Sequence, residues 1–64
     1  MLFVINPTAA RGRASREWCK AQLDLRKRGV NFTQHLTSQP GEASDVTRQA
    51  LLAGELCVIA VGGD

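Results

Sequence analysis

The sequence predicts an α/β chain in the order strand, helix, strand, helix, strand, with a parallel sheet. Three observations carry this. Leu2-Phe3-Val4-Ile5 and Leu56-Cys57-Val58-Ile59-Ala60-Val61 are continuous apolar runs near the two ends of the chain. Each stops at residues through which a central strand does not continue, Asn6-Pro7 and Gly62-Gly63. Between them lie two stretches of helical apolar spacing, parted by an alternating segment.

The first and last runs have the unbroken apolar character of parallel strands covered on both faces, and the last is expected to be fully buried and central to a larger sheet. In the first helical stretch, Ala14, Trp18, Ala21 and Leu25 make the apolar stripe, with Arg16, Glu17, Lys20, Asp24 and Lys27 on the other faces. Trp18 at such a position is read as core. Arg26-Lys27-Arg28 followed by Gly29 marks the helix end, cations facing the negative dipole end and Gly free to take positive φ. The segment Val30 to Leu36 sets Val30, Phe32 and Leu36 against Asn31, Thr33 and His35, which predicts an edge strand with one wet face. His35, the only histidine, is expected to be solvated there. The second helix is predicted to begin near Gly41, with Glu42 and Asp45 in its first turn, a Thr or Ser cap, and Ala43, Val46, Ala50 and Leu51 as its buried stripe; Gly54 closes it.

Such a βαβαβ order gives a three-layer, Rossmann-like parallel sheet with same-handed crossovers. The loops leaving the C-terminal strand ends then share one sheet edge, where open α/β sheets bind ligands. They are Asn6 to Arg13, Thr37 to Gly41, and Gly62 to Asp64. The first is small-residued and basic and leads into a helix N-terminus, which favours an anion, with Arg11 or Arg13 adding charge. The second offers hydroxyls. The third joins two glycines, which permit close backbone approach, to an Asp able to orient a polar ligand or a hydrated metal. Neither GxxxxGK[ST] nor a GxGxxG after the first strand occurs.

Composition narrows the function class. The chain has 64 residues, 44% hydrophobic and 22% charged, which is ordinary for a folded protein and excludes disorder or a fibrous chain. One small domain is the most it holds, with a marginal core. The net charge is +2 but is divided unevenly. Residues 1–32 carry seven cations against two acids, +5, and residues 33–64 carry one cation against four acids, −3. Nucleic acid is not expected as a partner, because the aromatics Phe3, Trp18 and Phe32 are scattered and there is no Tyr. Cys19 and Cys57 are read as buried free thiols in a reducing cytosol. No secretory signal and no run long enough to span a bilayer is read.

The ordered set Asn6-Pro7-x-Ala9-x-x-Gly12, Thr37-x-x-x-Gly41-Glu42-Ala43 and Val61-Gly62-Gly63-Asp64 resembles the start of a diacylglycerol kinase catalytic domain, as in bacterial lipid kinases related to sphingosine kinases. The resemblance covers residues 1–64 and implies the N-terminal part of a larger kinase nucleotide-binding domain, truncated at its C-terminal end. It implies ATP and Mg²⁺ as cofactors and a lipid hydroxyl at the membrane surface as acceptor. It also implies nucleotide contacts at Asn6, Pro7, Thr8, Ala9, Ala10, Thr37, Gly62, Gly63 and Asp64. The family's catalytic base and metal-binding residues have no counterpart among these positions, so no catalytic residue is assigned and the 64-residue chain alone is expected to be inactive and poorly stable. Ala10 stands where the family usually has Gly. A cytoplasmic protein in peripheral contact with membrane follows from the same resemblance; oligomeric state and lipid identity do not. Three rivals stand beside it: an NAD kinase-like enzyme, which shares a Gly-Gly-Asp-Gly motif, a non-catalytic remnant or interaction module, and a generic α/β domain with no nucleotide site.

Overall fold

The computed structural model describes residues 1–62. It contains β1 (Leu2–Ile5), α1 (Arg13–Lys27), β2 (Thr33–Leu36), α2 (Glu42–Leu52) and β3 (Val58–Val61). The sheet is parallel, in the order β2-β1-β3. Register sets Phe3 beside Gln34 and Ile59, and Val4 beside His35 and Ala60.

Successive side chains of a strand point to opposite faces, so these two rows mark the two sides of the sheet. Phe3 meets Trp18 of α1, whereas His35 meets Glu42 of α2. The helices therefore cover opposite faces, as two crossovers of one hand require when the chain returns past β1. The predicted three-layer α/β architecture is the observed one. It is a slab, 30 × 29 × 14 Å.

The core lies on the α1 side. Phe3, Ile5, Ala14 and Trp18 are buried there, Ile5 completely, and Val4 is buried on the α2 side of the sheet. The rings of Phe3 and Trp18 lie 4.7 Å apart, and Phe32 meets both edge-on at 5.5 and 5.7 Å. Trp18 is core, as its spacing predicts, and its indole N–H donates to Gln34 Oε1 at 2.6 Å. The Arg26 guanidinium sits 5.2 Å from the centre of the Phe32 ring, the apolar ring partly covered by a cation.

Several expectations need correction. β2 begins at Thr33 rather than Val30. The Val30 N–H is engaged by Leu25 C=O and the Gly29 N–H by Arg26 C=O, so the residues after α1 close its end in a Schellman turn before the sheet resumes. Gly29, at φ 74°, takes the left-handed position expected of it. The same turn ends α2, with Gly54 bonded to Leu51 and Glu55 to Ala50. Ala21 is exposed because the buried arc of α1 extends no further than Ala14, Trp18 and Leu25. Cys19 and Cys57 are both exposed rather than buried. One residue past Trp18, Cys19 is turned about 100° away from the core, and Cys57 precedes β3. No α2 residue is fully buried; Val46 and Ala50 are half-buried, and Ala43 and Leu51 are exposed.

β3 is likewise half-covered rather than fully buried, because it forms a sheet edge among the described residues and β1 takes the centre. The uncovered side is apolar. Leu51, Leu52 and Leu56 are exposed, and Leu51, Leu52 and Ala60 line a groove of about 700 Å³ with Ala43, Thr47 and Arg48. The accessible surface is 4793 Å². A compact protein of this mass exposes about 4000 Å². Part of the excess is the open apolar side formed by Leu51, Leu52 and Leu56.

Candidate functional site

The first and second loops meet at the C-terminal edge of the sheet. Thr37 follows β2, and both its N–H and its hydroxyl donate to Ile5 C=O, at 2.8 and 3.3 Å. That clamps the second loop to the end of β1. Asn6, just beyond β1, forms an Asx turn: its Oδ1 accepts from the Thr8 N–H at 3.3 Å and the Thr8 hydroxyl at 3.0 Å. The result is a polar cleft of about 280 Å³, lined by Asn6, Thr8, Thr37, Ser38, Gln39 and Pro40. Three residues predicted to contact one ligand are thus gathered in one place, two from the first loop and one from the second. Thr37 is buried at its floor, 9% exposed. Ser38, Gln39 and Pro40 of the second loop, placed at this edge by the sequence but singled out by no motif, complete the lining.

Pro7, Ala9 and Ala10 do not line this cleft. Ala9 faces the third loop instead. A Cβ placed on Gly62 would stand 2.7 Å from Ala14 Cβ, 3.0 Å from Ala9 Cβ and 3.1 Å from Asn6 C=O. The close approach that glycine permits here is therefore to the first loop and α1. Gly63 and Asp64, the remaining predicted contacts, lie outside the described residues. Among those residues no group of three His, Cys, Asp or Glu side chains is placed to hold a metal ion.

The first loop winds left-handed before α1. Ala10, Arg11 and Gly12 have φ of 53°, 57° and 87°. Positive φ thus persists at Ala10 although the side chain is no longer absent. An L residue in this region costs roughly 1–2 kcal/mol. Glycine would remove that strain but loses more entropy on folding, so Ala10→Gly is expected to stabilise by about 0.5–1 kcal/mol. Paired urea titrations check this through the shift in midpoint at constant slope. Arg11 and Arg13 are exposed, and Arg13 makes a long contact, 3.9 Å, with Glu17.

The second loop is held from below. No side chain caps α2, contrary to expectation; its N-cap is Gly41 at φ 82°. Glu42, the first residue of α2, instead reaches backward to the loop. Its Oε1 accepts from the Ser38 N–H at 2.9 Å and the Ser38 hydroxyl at 3.2 Å, and its Oε2 lies 2.6 Å from His35 Nε2. The Ser38 backbone N–H first, then His35, hold the Glu42 carboxyl down at about 2, so it is a carboxylate throughout the neutral range. His35 is accordingly paired rather than freely solvated. The spacing from His35 to Glu42 gives no hint of this, because a strand, a loop and a helix start lie between them.

Comparison with known proteins places these features in a family. The diacylglycerol kinase catalytic domain model matches residues 1–64. A Bacillus subtilis (strain 168) protein named "Putative lipid kinase YtlR" is 38% identical over 65 residues, covering 97% of this chain and 21% of that relative. The chain thus spans about a fifth of the length of the curated relative it matches. No solved structure matches.

Proposed function

The chain belongs to the diacylglycerol kinase catalytic domain family, a lipid kinase family, and from that premise we propose that it forms part of the ATP site of an enzyme that phosphorylates a lipid hydroxyl such as that of diacylglycerol. The observation that carries the reading is the cleft joining Asn6, Thr8 and Thr37, residues of two loops some thirty positions apart in sequence. In that reaction the bond from the γ-phosphorus to the ADP oxygen breaks, a bond to the lipid oxygen forms, and the hydroxyl proton leaves to a base. Catalysis of this kind depends mainly on positioning and charge neutralisation.

Within this chain the work is positioning. Thr37, anchored on Ile5, presents its hydroxyl oxygen at the cleft floor, and the Asx turn at Asn6 shapes the opposite wall. Mg²⁺ accompanies ATP in this reading and no step is assigned to it through the described residues; Asp64 is proposed as a nucleotide-side contact together with Gly63. The base is assigned to no residue of this chain. The family match supports lipid kinase over an NAD kinase-like enzyme, as do Asn6-Pro7 and Thr37…Gly41-Glu42-Ala43.

ADP release in the presence of Mg-ATP and diacylglycerol micelles tests the division of labour. The 64-residue chain alone is expected to give none, and clear turnover by it would sink the assignment. Thr37→Ala in the protein at its encoded length is expected to weaken ATP binding roughly fivefold, the effect of losing about 1 kcal/mol from one hydrogen bond that the Thr37 hydroxyl oxygen accepts from the nucleotide. Affinity unchanged in both Thr37→Ala and Asp64→Ala removes the site from these residues.

A further inference from the structure

Glu42 is placed to control the cleft without lining it. It is the first residue of α2, and its two carboxylate oxygens divide between the loop and the strand before it. One oxygen takes both donors of Ser38, and the other takes His35 on β2. Ser38 lines the cleft beside Thr37. Thr37 is tied to β1 on its own account, but Ser38 has no other side-chain or backbone hydrogen-bond partner among the described residues. The rim from Ser38 to Pro40 therefore depends on where this carboxylate points.

We propose that Glu42 and His35 are a positioning pair for the nucleotide: Glu42 clasps Ser38 into the rim of the cleft, and His35 aims the carboxylate that does so. The inference rests on the nucleotide reading of the cleft and adds the residues that hold its rim in place. The Nε2–H of a neutral imidazole is a sufficient donor to Glu42, and an imidazolium is a stronger one. The surroundings leave His35 to this partner. β1 sets Val4 opposite it and carries no titratable group, and on α2 the next charges, Asp45 and Arg48, bond each other at 2.9 Å.

The test uses the protein at its encoded length and Mg-ATP binding measured by calorimetry. Glu42→Gln is expected to weaken binding about tenfold, since the charge that holds two donors is lost. His35→Ala should weaken it less, because Glu42 keeps Ser38 but loses the donor that aims it. His35→Gln, whose amide N–H reaches Glu42, should restore affinity. The Ser38 amide proton resonance should shift in Glu42→Gln and in His35→Ala and keep the parent position in His35→Gln.

ATP binding that is the same in the parent, Glu42→Gln and His35→Ala overturns the positioning role while leaving the nucleotide reading intact. No ATP binding by the folded parent removes the nucleotide reading, and the positioning role with it. Should Glu42→Gln fail to fold, the two His35 variants decide alone: ATP binding as weak in His35→Gln as in His35→Ala overturns the pair.

Discussion

Gly62→Ala is expected to destabilise the protein by about 3 kcal/mol, combining roughly 1–2 kcal/mol for an L residue at positive φ with 1–3 kcal/mol for overpacking. Both terms are present at this position. Gly62 has φ 81°, and its added methyl would meet Ala14 Cβ at 2.7 Å and Asn6 C=O at 3.1 Å. Neither neighbour is the free end of a flexible side chain. Ala14 is buried in the first turn of α1, and Asn6 is fixed by the Asx turn and by its N–H bond to Val61 C=O. Relief has to come from moving the third loop off the first, which also disturbs the wall of the cleft. Chemical unfolding of the parent and variant measures the loss. Gly54→Ala is the internal control, because it carries a φ of 100° with open space around it. It should show the backbone cost without the clash, and equal losses in the two variants would remove the packing argument.

How much of this was readable in the sequence depended on the range of the interaction concerned. β1 was legible because four apolar residues ended by Asn-Pro define a strand with no outside information. Gly29 and Gly54 were legible as helix ends for the same local reason. The gathering of Asn6, Thr8 and Thr37 also followed, since parallel strands necessarily bring their C-terminal loops to one edge. Burial was less legible. Leu56 to Val61 looks like the middle of a sheet, yet what covers a strand is set by neighbours elsewhere in the chain, and here α2 leaves Ala60 and Leu56 open. Ala21 was misplaced by a smaller error, a few tens of degrees around one helix, which a hydropathy pattern does not resolve, and Cys19 because an apolar neighbourhood in sequence does not fix the face on which a residue lies. The Glu42 clasp was hidden altogether. A Thr or Ser cap is the local rule for a helix start, and only the three-dimensional path of the second loop shows the helix left without one and its first carboxylate reaching back to Ser38.

Trp18→Ala is expected to cost about 3–5 kcal/mol, the range for deleting a large buried aromatic. Against a whole-domain stability of about 5–15 kcal/mol that is a large share. The loss arises where α1 is joined to the sheet. Trp18 is 4% exposed, packs on Phe3 and Phe32, and fixes its indole N–H on Gln34 at 2.6 Å. Besides it, Ala14 is the only α1 residue that is fully buried. Truncation therefore frees the helix from β1, and with it the loop that carries Asn6 and Thr8. Circular dichroism is the measurement to use, because Trp18 is the only tryptophan and its fluorescence vanishes with it. Trp18→Phe separates packing from hydrogen bonding: most of the core contact remains, and the loss should fall to about 1–2 kcal/mol, of which about 1 kcal/mol is the bond to Gln34. A double-mutant cycle with Gln34→Ala isolates that bond. A coupling energy near zero would assign the whole effect to the ring, and a Trp18→Ala variant as stable as the parent would mean that α1 is held by something other than this aromatic cluster.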